Sequence, residues 1–320
     1  MLIYLFNVLI FPGLIFSLAM GLTVEAIDRK IGARMQRRMG PPILQPLYDL
    51  LKLWGKKMMI PSHIPESLFS VIPMIGLAAL VTVLLFLPIG AKPVFTVTGD
   101  LLVILYLITI PGLMTILGAS LSGSPYSSVG LSREMVMLLS GELPLAVNLL
   151  TVALFVGKAM GTGIELSLAQ IYSFQINHFA LFTDWRLWPA LLSFLLILPA
   201  EAGYSPFDLA EAETEICEGV MAEYSGRNLA LFHLAHRIKT FVLIALFVAL
   251  FLSGILVSDY GLMVNVTIFL IKVLLIMLVF ITWVRTSTAR IKIEQAVRYF
   301  WTYPLGLSVS SLILVLVTSV

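Results

Sequence analysis

One cysteine in 320 residues, Cys217, is the chain's whole supply of thiol. That excludes a disulfide within the chain. It also excludes iron–sulfur clusters and cysteine-ligated nickel, which take several thiolates each. No cofactor is expected in this chain, and any redox chemistry nearby belongs to other chains. Histidine is almost as sparse, four in all, with His233 and His236 three apart. Two ligands without a third make a poor metal site, so these are expected as interfacial residues. Charge is scarce as well: 12% of residues are Asp, Glu, Lys or Arg, against about 25% in soluble domains. An ordinary water-soluble globule is thereby excluded. No glycine-rich phosphate loop and no specific Ser/His/Asp or Cys/His grouping occurs, so no catalytic residue is nominated. The first apolar run lacks a basic flank and a small-x-small cleavage site, and it is read as a retained span. Dyad alternation in segments of about ten residues is missing too, which excludes a β-barrel.

What remains is apolar. Hydrophobic residues make up 59% of the chain, and the mean hydropathy is +1.01. Apolar runs recur at lengths sufficient to cross a hydrocarbon core about 30 Å thick. The expected fold is all-α and polytopic, a single membrane domain over 1–320. Eight spans are expected at about 2–24, 67–90, 101–121, 135–157, 186–202, 231–256, 262–284 and 302–320. The odd loops lie at about 25–66, 122–134, 203–230 and 285–301, and with the adjoining helix starts they hold sixteen Lys and Arg. The even loops hold three: Lys92, Lys158 and Arg186. By the positive-inside rule the odd loops face the cytoplasm and both termini face outward.

Within so apolar a chain, "PAEAGYSPFDLAEAETEICEGVMAEYSG" gathers Glu201, Asp208, Glu211, Glu213, Glu215, Glu218 and Glu223, with no basic residue before Arg227. Glu211, Glu215 and Glu218 recur at i, i+4 and i+7, which predicts one helical face carrying three carboxylates. Like charges at that spacing destabilise a helix by a few tenths of a kcal/mol each, so protonation, cations or the basic first loop must offset them. A solvated acidic face and a divalent-metal site are the alternatives. In the first loop, "GPP" at 40–42 breaks the chain and Pro46 can open a helix. Leu47, Tyr48, Leu51 and Trp54 then share one face, as in an amphipathic helix lying in the membrane interface. Arg34, Arg37 and Arg38 precede it and are candidates for docking a partner, with anionic lipid as the alternative.

Two charges fall inside apolar runs: Glu142 in "GELP" and Lys272 in "TIFLIKVLLIM". An ionised group at the membrane centre costs roughly 2.5–3.5 kcal/mol on insertion scales, and such residues usually face the bundle interior and mark ion paths.

Together, "RKIGARMQRRMGPPILQPLYDLLKLWGKK", "GELP" and "AEAGYSPFDLAEAETEICEGVMAEYSG" resemble the NADH dehydrogenase subunit 1 family. That is the membrane subunit joining the redox arm to the ion pumps in respiratory complex I and its relatives. Quinone-reducing members carry an insertion where this chain has the compressed "GPPILQP". They also tend to carry "ETNRAPFDLPEAE", whose Arg is Tyr204 here. These departures resemble the energy-converting nickel–iron hydrogenases and the ferredoxin-linked sulfane sulfur reductases of prokaryotic cell membranes. The resemblance implies a non-catalytic coupling subunit of an oxidoreductase complex, moving H⁺ or Na⁺. Its implied partners are cluster-bearing hydrogenase-like and ferredoxin-like subunits on the cytoplasmic side, antiporter-like membrane subunits and lipid, with no nucleic acid. Iron–sulfur clusters, and nickel–iron in the hydrogenase case, would reside in those partners. The resemblance further implies that the seven acids, with Glu142 and Lys272, form an ion path whose mouth is the acidic loop. A quinone-reducing subunit and a stand-alone secondary transporter remain the alternatives; the latter usually shows paired repeats, and none is evident here.

Overall fold

Inside hydrocarbon a backbone has no water to bond, so apolar runs of this length close their hydrogen bonds as helices. The computed structural model describes residues 2–62, 64–255 and 261–318, except the side chains of 2–4, 213 and 214, and shows no strand among them. The order is α1 (Leu2–Leu9), α2 (Leu14–Met35), α3 (Gln45–Gly55), α4 (Glu66–Phe86), α5 (Asp100–Ser122), α6 (Pro125–Met160) and α7 (Leu168–Asn177). Then come α8 (Trp188–Glu201), α9 (Glu213–Ile216), α10 (Gly226–Phe251), α11 (Leu262–Ile276), α12 (Trp283–Ser287), α13 (Ile293–Thr302) and α14 (Pro304–Val317). A π-helical stretch, Met277–Thr282, joins α11 to α12.

The bundle is built around α10, where residues 240–251 are all buried. It packs on α2 and α4, and α4 in turn lies along α5. On the other side α14 buries only Pro304, Ser308, Ser311 and Val315, a one-face pattern against α6 and α8. The small serines let the backbones approach and supply interhelical bonds. Ser311 Oγ donates to the Arg186 carbonyl at 2.8 Å, and Asn148 donates to Ser193 at 3.0 Å, which donates on to the Pro304 carbonyl at 2.7 Å.

Among the described residues, seven helices are long and apolar enough to cross a membrane. The run expected to span at 186–202 folds instead as 3-10 turns followed by the 14-residue α8. At 1.5 Å per residue α8 covers about 21 Å, short of the roughly 30 Å core. The first run is interrupted at Pro12-Gly13, and its second part, α2, runs on past position 24 to Met35, because nothing between 25 and 35 breaks a helix. The expected loop over 122–134 is reduced to Gly123 and Ser124. Gly123 turns with φ +67, and Pro125 opens the 36-residue α6.

The four odd loops do meet at one end of the bundle. Arg290 binds Asp208 at 3.0 Å, and Ile291 N–H donates to the Pro206 carbonyl. Arg133 binds Glu215 at 2.7 Å, and Met59 N–H donates to Ser225 Oγ at 2.7 Å. At the opposite end Asp100 accepts from Ser167, and Gln175 donates to the carbonyls of Ala249 and Leu250 at the end of α10. The amphipathic helix is α3: it opens with Pro46 in its first turn and leaves Leu47, Tyr48, Leu51 and Trp54 exposed.

Candidate functional site

The acidic segment does not form the helical face that its spacing suggests. α8 ends at Glu201, and Gly203 turns the chain at φ +68; a Cβ there would meet the His236 ring at 3.0 Å, so the close approach needs glycine. Buried Phe207, Leu209, Ala210 and Ala212 then anchor an irregular path. Glu213–Ile216 forms one α-helical turn and Gly219–Met221 a 3-10 turn, and between them Cys217 and Glu218 take left-handed φ of 49° and 67°. The three carboxylates therefore do not share one helical face: Glu215 turns out to Arg133, while Glu218 still repels Glu211.

Each acid then has its own surroundings. Glu201 is half-buried and pairs with Lys239 of α10 at 3.4 Å. Asp208 pairs with Arg290 at 3.0 Å. Glu211 is half-buried, and burial, then Asp208, Glu134 and Glu218, push its carboxyl up to about 8. Glu215 lies outward against Arg133, whose hydrogen bond holds its carboxyl below the usual range. Glu218 and Glu223 are exposed. The side chain of Glu213 lies outside the described residues.

Two cavities explain the division. One, about 520 Å³, is lined by Glu25, Asp28, Arg29, Asp49, Lys52, Lys56, Tyr204, Asp208, Glu211, His233, His236, Arg237 and Arg285 among others. The second, about 80 Å³, has room for ordered water and is lined by Glu134, Glu201, Asp208, Glu211, His236 and Lys239 with apolar neighbours. Gly203, Asp208, Glu211 and His236 line both, so they form the common wall. Beyond the second cavity Glu201 rests on α6: a Cβ added at Gly141 would lie 2.2 Å from its Oε1. The next residue, half-buried Glu142, feels the charges of Glu201 and Lys239.

The larger cavity is knitted by ion pairs between distant segments. Glu25 binds both Arg29 and Arg237, and Arg29 binds Asp49 of α3 at 2.9 Å. Asp28 binds Arg285 at 2.9 Å and accepts from Thr282 at 2.8 Å, while Arg285 lies over the Tyr204 ring at 5.6 Å.

Sequence reasoning missed Glu25, Asp28, Glu134, Lys239, Arg285 and Arg290 as parts of this site. The signal for Glu134 was available: Glu134 and Gly141 are seven apart, two turns along one helix face. His233 and His236, expected at the interface, line the cavity walls instead. Lys272 is not brought to Glu142. Its ammonium donates to the carbonyls of Leu252 and Ile255 at 2.8 and 2.6 Å, at the C-terminal end of α10. Leu252 caps α10 and Ile255 lies in the turn that follows, beside the negative end of the helix dipole, where a cation is favoured. Arg34, Arg37 and Arg38 are exposed, with no ion pair among the described residues. No group of three or more candidate metal ligands occurs among the described residues.

Comparison with known proteins places this arrangement in context. The family model described as NADH dehydrogenase matches residues 7–316. An NADH-quinone oxidoreductase subunit of Ralstonia nicotianae is 31% identical over 308 residues, covering 90% of this chain and 84% of that protein. The corresponding NADH-quinone oxidoreductase subunit of Geobacillus thermodenitrificans is 32% identical over 324 residues, covering 96% and 94%. Among solved structures, a chain of the membrane-bound sulfane sulfur reductase, an archaeal respiratory membrane complex, superposes with TM-score 0.87 at 27% identity. The match covers 98% of this chain and 100% of that one.

Proposed function

We propose a coupling function, on the premise that the chain belongs to the NADH dehydrogenase family: it anchors a redox arm at the polar end of the bundle and links electron transfer to ion movement. The observation that carries this reading is the continuity of ionisable groups. They run from the charged cavity, through Asp208, Glu211 and His236 of the common wall, to Glu134, Glu201 and Lys239, and on to Glu142. Carboxylates placed in sequence, with room for water between them, can pass protons stepwise; each is a titratable stop. The chain supplies no electron carrier, so clusters would belong to hydrogenase-like and ferredoxin-like partners, with antiporter-like membrane subunits alongside. Arg34 and Arg37, exposed and with no side-chain ion pair among the described residues, are the proposed contacts for the arm.

Ferredoxin is the proposed electron source, and protons or sulfur the acceptor. The likeness to the sulfane sulfur reductase chain supports this, as does Tyr204 standing where quinone-reducing members carry Arg. The cavity lining adds weight: ligand sites for apolar molecules are mostly apolar, whereas charged residues dominate here. Quinone reduction is the second reading, favoured by the names of the curated relatives.

The test is Glu142→Gln in the intact complex, which keeps size and hydrogen bonding but removes titration. Assembly and cluster content are expected to stay normal while ion uptake by vesicles driven by reduced ferredoxin is lost; a slowed electron flow should partly recover with an ionophore. Normal ion uptake by this variant would refute the route. Electron flow that requires added quinone would favour the second reading.

A further inference from the structure

We propose that a cavity between the C-terminal end of α2 and α12 binds the phosphate headgroup of an anionic phospholipid whose acyl chain lies along α11 and α12. The cavity, about 420 Å³, is separate from the carboxylate route and is lined by Arg29, Arg38 and Arg285 with Gln36, Met39 and Thr286 among others. None of its lining residues is acidic. Arg29 and Arg285 form the partition between this space and the 520 Å³ cavity, since they line both. Their carboxylate partners, Glu25, Asp49 and Asp28, all lie on the other side. Each guanidinium has five N–H donors in a fixed fork. Arg29 engages Glu25 and Asp49 through its two terminal nitrogens, Arg285 engages Asp28 through one, and Arg38 makes no side-chain bond among the described residues. Arg38, with the N–H groups that Arg285 leaves unused, thus lines a space that has no acidic residue in its wall. A phosphate oxygen pair matches that fork.

Local backbone brings Arg38 there. α2 ends in a Schellman turn: Arg38 N–H donates to the Ala33 carbonyl at 2.9 Å and Arg37 N–H to Arg34 at 3.0 Å. Arg37 takes φ 56° at the position where glycine is usual. The reversal folds Arg38 and Met39 back beside the helix. Gly32 lets α12 close in, since its Cβ would lie 3.2 Å from the Arg285 guanidinium and 3.3 Å from Thr286.

The choice of a lipid over a free anion rests on what adjoins the cavity. Ile271, Leu275, Val279 and Trp283 are exposed at four-residue intervals, 45–58% each, while the intervening Val273, Met277 and Ile281 are buried. That apolar stripe runs along α11 and α12 and stops one turn before Arg285 and Thr286. Trp283 at its head suits the boundary between hydrocarbon and headgroups, and 95%-exposed Met39 adds apolar surface at the rim. Basic pockets between membrane helices are a known way of holding anionic headgroups.

The experiment is native mass spectrometry of the intact complex in mild detergent, offered phosphatidylglycerol, phosphatidylcholine or inorganic phosphate. Phosphatidylglycerol is expected to be retained at one further molecule per complex, at least tenfold over phosphatidylcholine, and Arg38→Gln should reduce that retention at least fivefold. Equal retention by Arg38→Gln, or equal binding of phosphatidylcholine, would overturn the proposal. Displacement of the lipid by phosphate at equal concentration would show a free-anion site and overturn it too. Should the variant fail to assemble, phosphatidylglycerol with a photoreactive acyl chain applied to the unaltered complex decides: labelling within 271–286 supports the site, and its absence there refutes it.

Discussion

Glu211 offers the sharpest quantitative test of the route. Burial, then repulsion from Asp208, Glu134 and Glu218, raises its carboxyl from 4.5 to about 8. At pH 7 about nine in ten copies therefore hold a proton, where an ordinary carboxyl would be almost fully ionised. Between pH 4.5 and about 8 the folded chain holds a proton that the unfolded chain has released, so stability falls as pH rises through that window and levels off above it. The interval corresponds to about 5 kcal/mol for a fully enclosed group, and water reaching this half-buried side chain reduces it to about 2–3 kcal/mol. Glu211→Gln removes the titration. The variant should thus gain about 2–3 kcal/mol relative to the parent between pH 5 and pH 9. The direct readout is infrared difference spectroscopy of the purified complex: a protonated-carboxyl band that titrates near 8 in the parent should be missing in Glu211→Gln. Asp208→Asn removes the like charge that acts on it most and should lower that midpoint by about 0.5–1 pH unit. If no band distinguishes parent from variant between pH 6 and 9, the raised carboxyl does not exist and the common wall loses its proton store.

Three further outcomes are expected. Glu at Arg34 and Arg37 together should release the redox arm from membranes, more so as salt rises, because exposed charges are screened over roughly 8–10 Å; an arm that sediments with the membrane at every salt concentration assigns those arginines elsewhere. Lys272→Met should remove both ammonium–carbonyl bonds and lower unfolding stability by about 1–3 kcal/mol with ion uptake per assembled complex unchanged, and Lys272→Gln should recover most of that loss; lost ion uptake in either variant would return Lys272 to the path. In a Cys217→Ser background, a cysteine at exposed Ser287 should react only from the cytoplasm and one at Lys158 only from outside, and labelling of position 287 from outside would invert the topology.

How much of this was legible in advance follows from what sequence periodicity can carry. Apolar length predicts the all-helical bundle, and the basic loops meet at one end because their side chains bond one another, as Arg290 and Asp208 do at 3.0 Å. Glu142 and Lys272 stood out because charges inside apolar runs are costly. Partnership is a different matter. Glu25 is read from sequence as the edge of a loop, yet it pairs with Arg237, 212 positions away, an interaction that no local pattern encodes. Lys272 was misplaced for the same reason: hydropathy marks it as mid-span, but only the neighbouring end of α10 shows that its ammonium caps carbonyls. The acidic loop failed in the opposite sense, since an i, i+4, i+7 pattern reports a face only where the chain is helical, and here the helix breaks at Cys217 and Glu218.

The charge balance of the larger cavity indicates how a redox event could be felt there. Its lining carries five formal cations, Arg29, Lys52, Lys56, Arg237 and Arg285, against five acids, Glu25, Asp28, Asp49, Asp208 and Glu211. With Glu211 protonated the cavity is one charge positive; with Glu211 ionised it is neutral. A unit charge removed about 10 Å away changes the local energy by about 1.7 kcal/mol at an effective dielectric of about 20. That is a little over one pH unit. Losing a distant electron would bring Glu211 from about 8 to about 7, and its proton occupancy at pH 7 would fall from about nine in ten to about half. An acid near 4.5 would stay ionised through the same event, so under the proposed coupling Glu211 would convert a change of charge into a released proton. We predict that the Glu211 infrared band titrates about one unit lower in the oxidised complex than in the reduced one. Identical midpoints in the two redox states would mean that the cavity does not sense the electron, and the coupling would have to enter the membrane by another path.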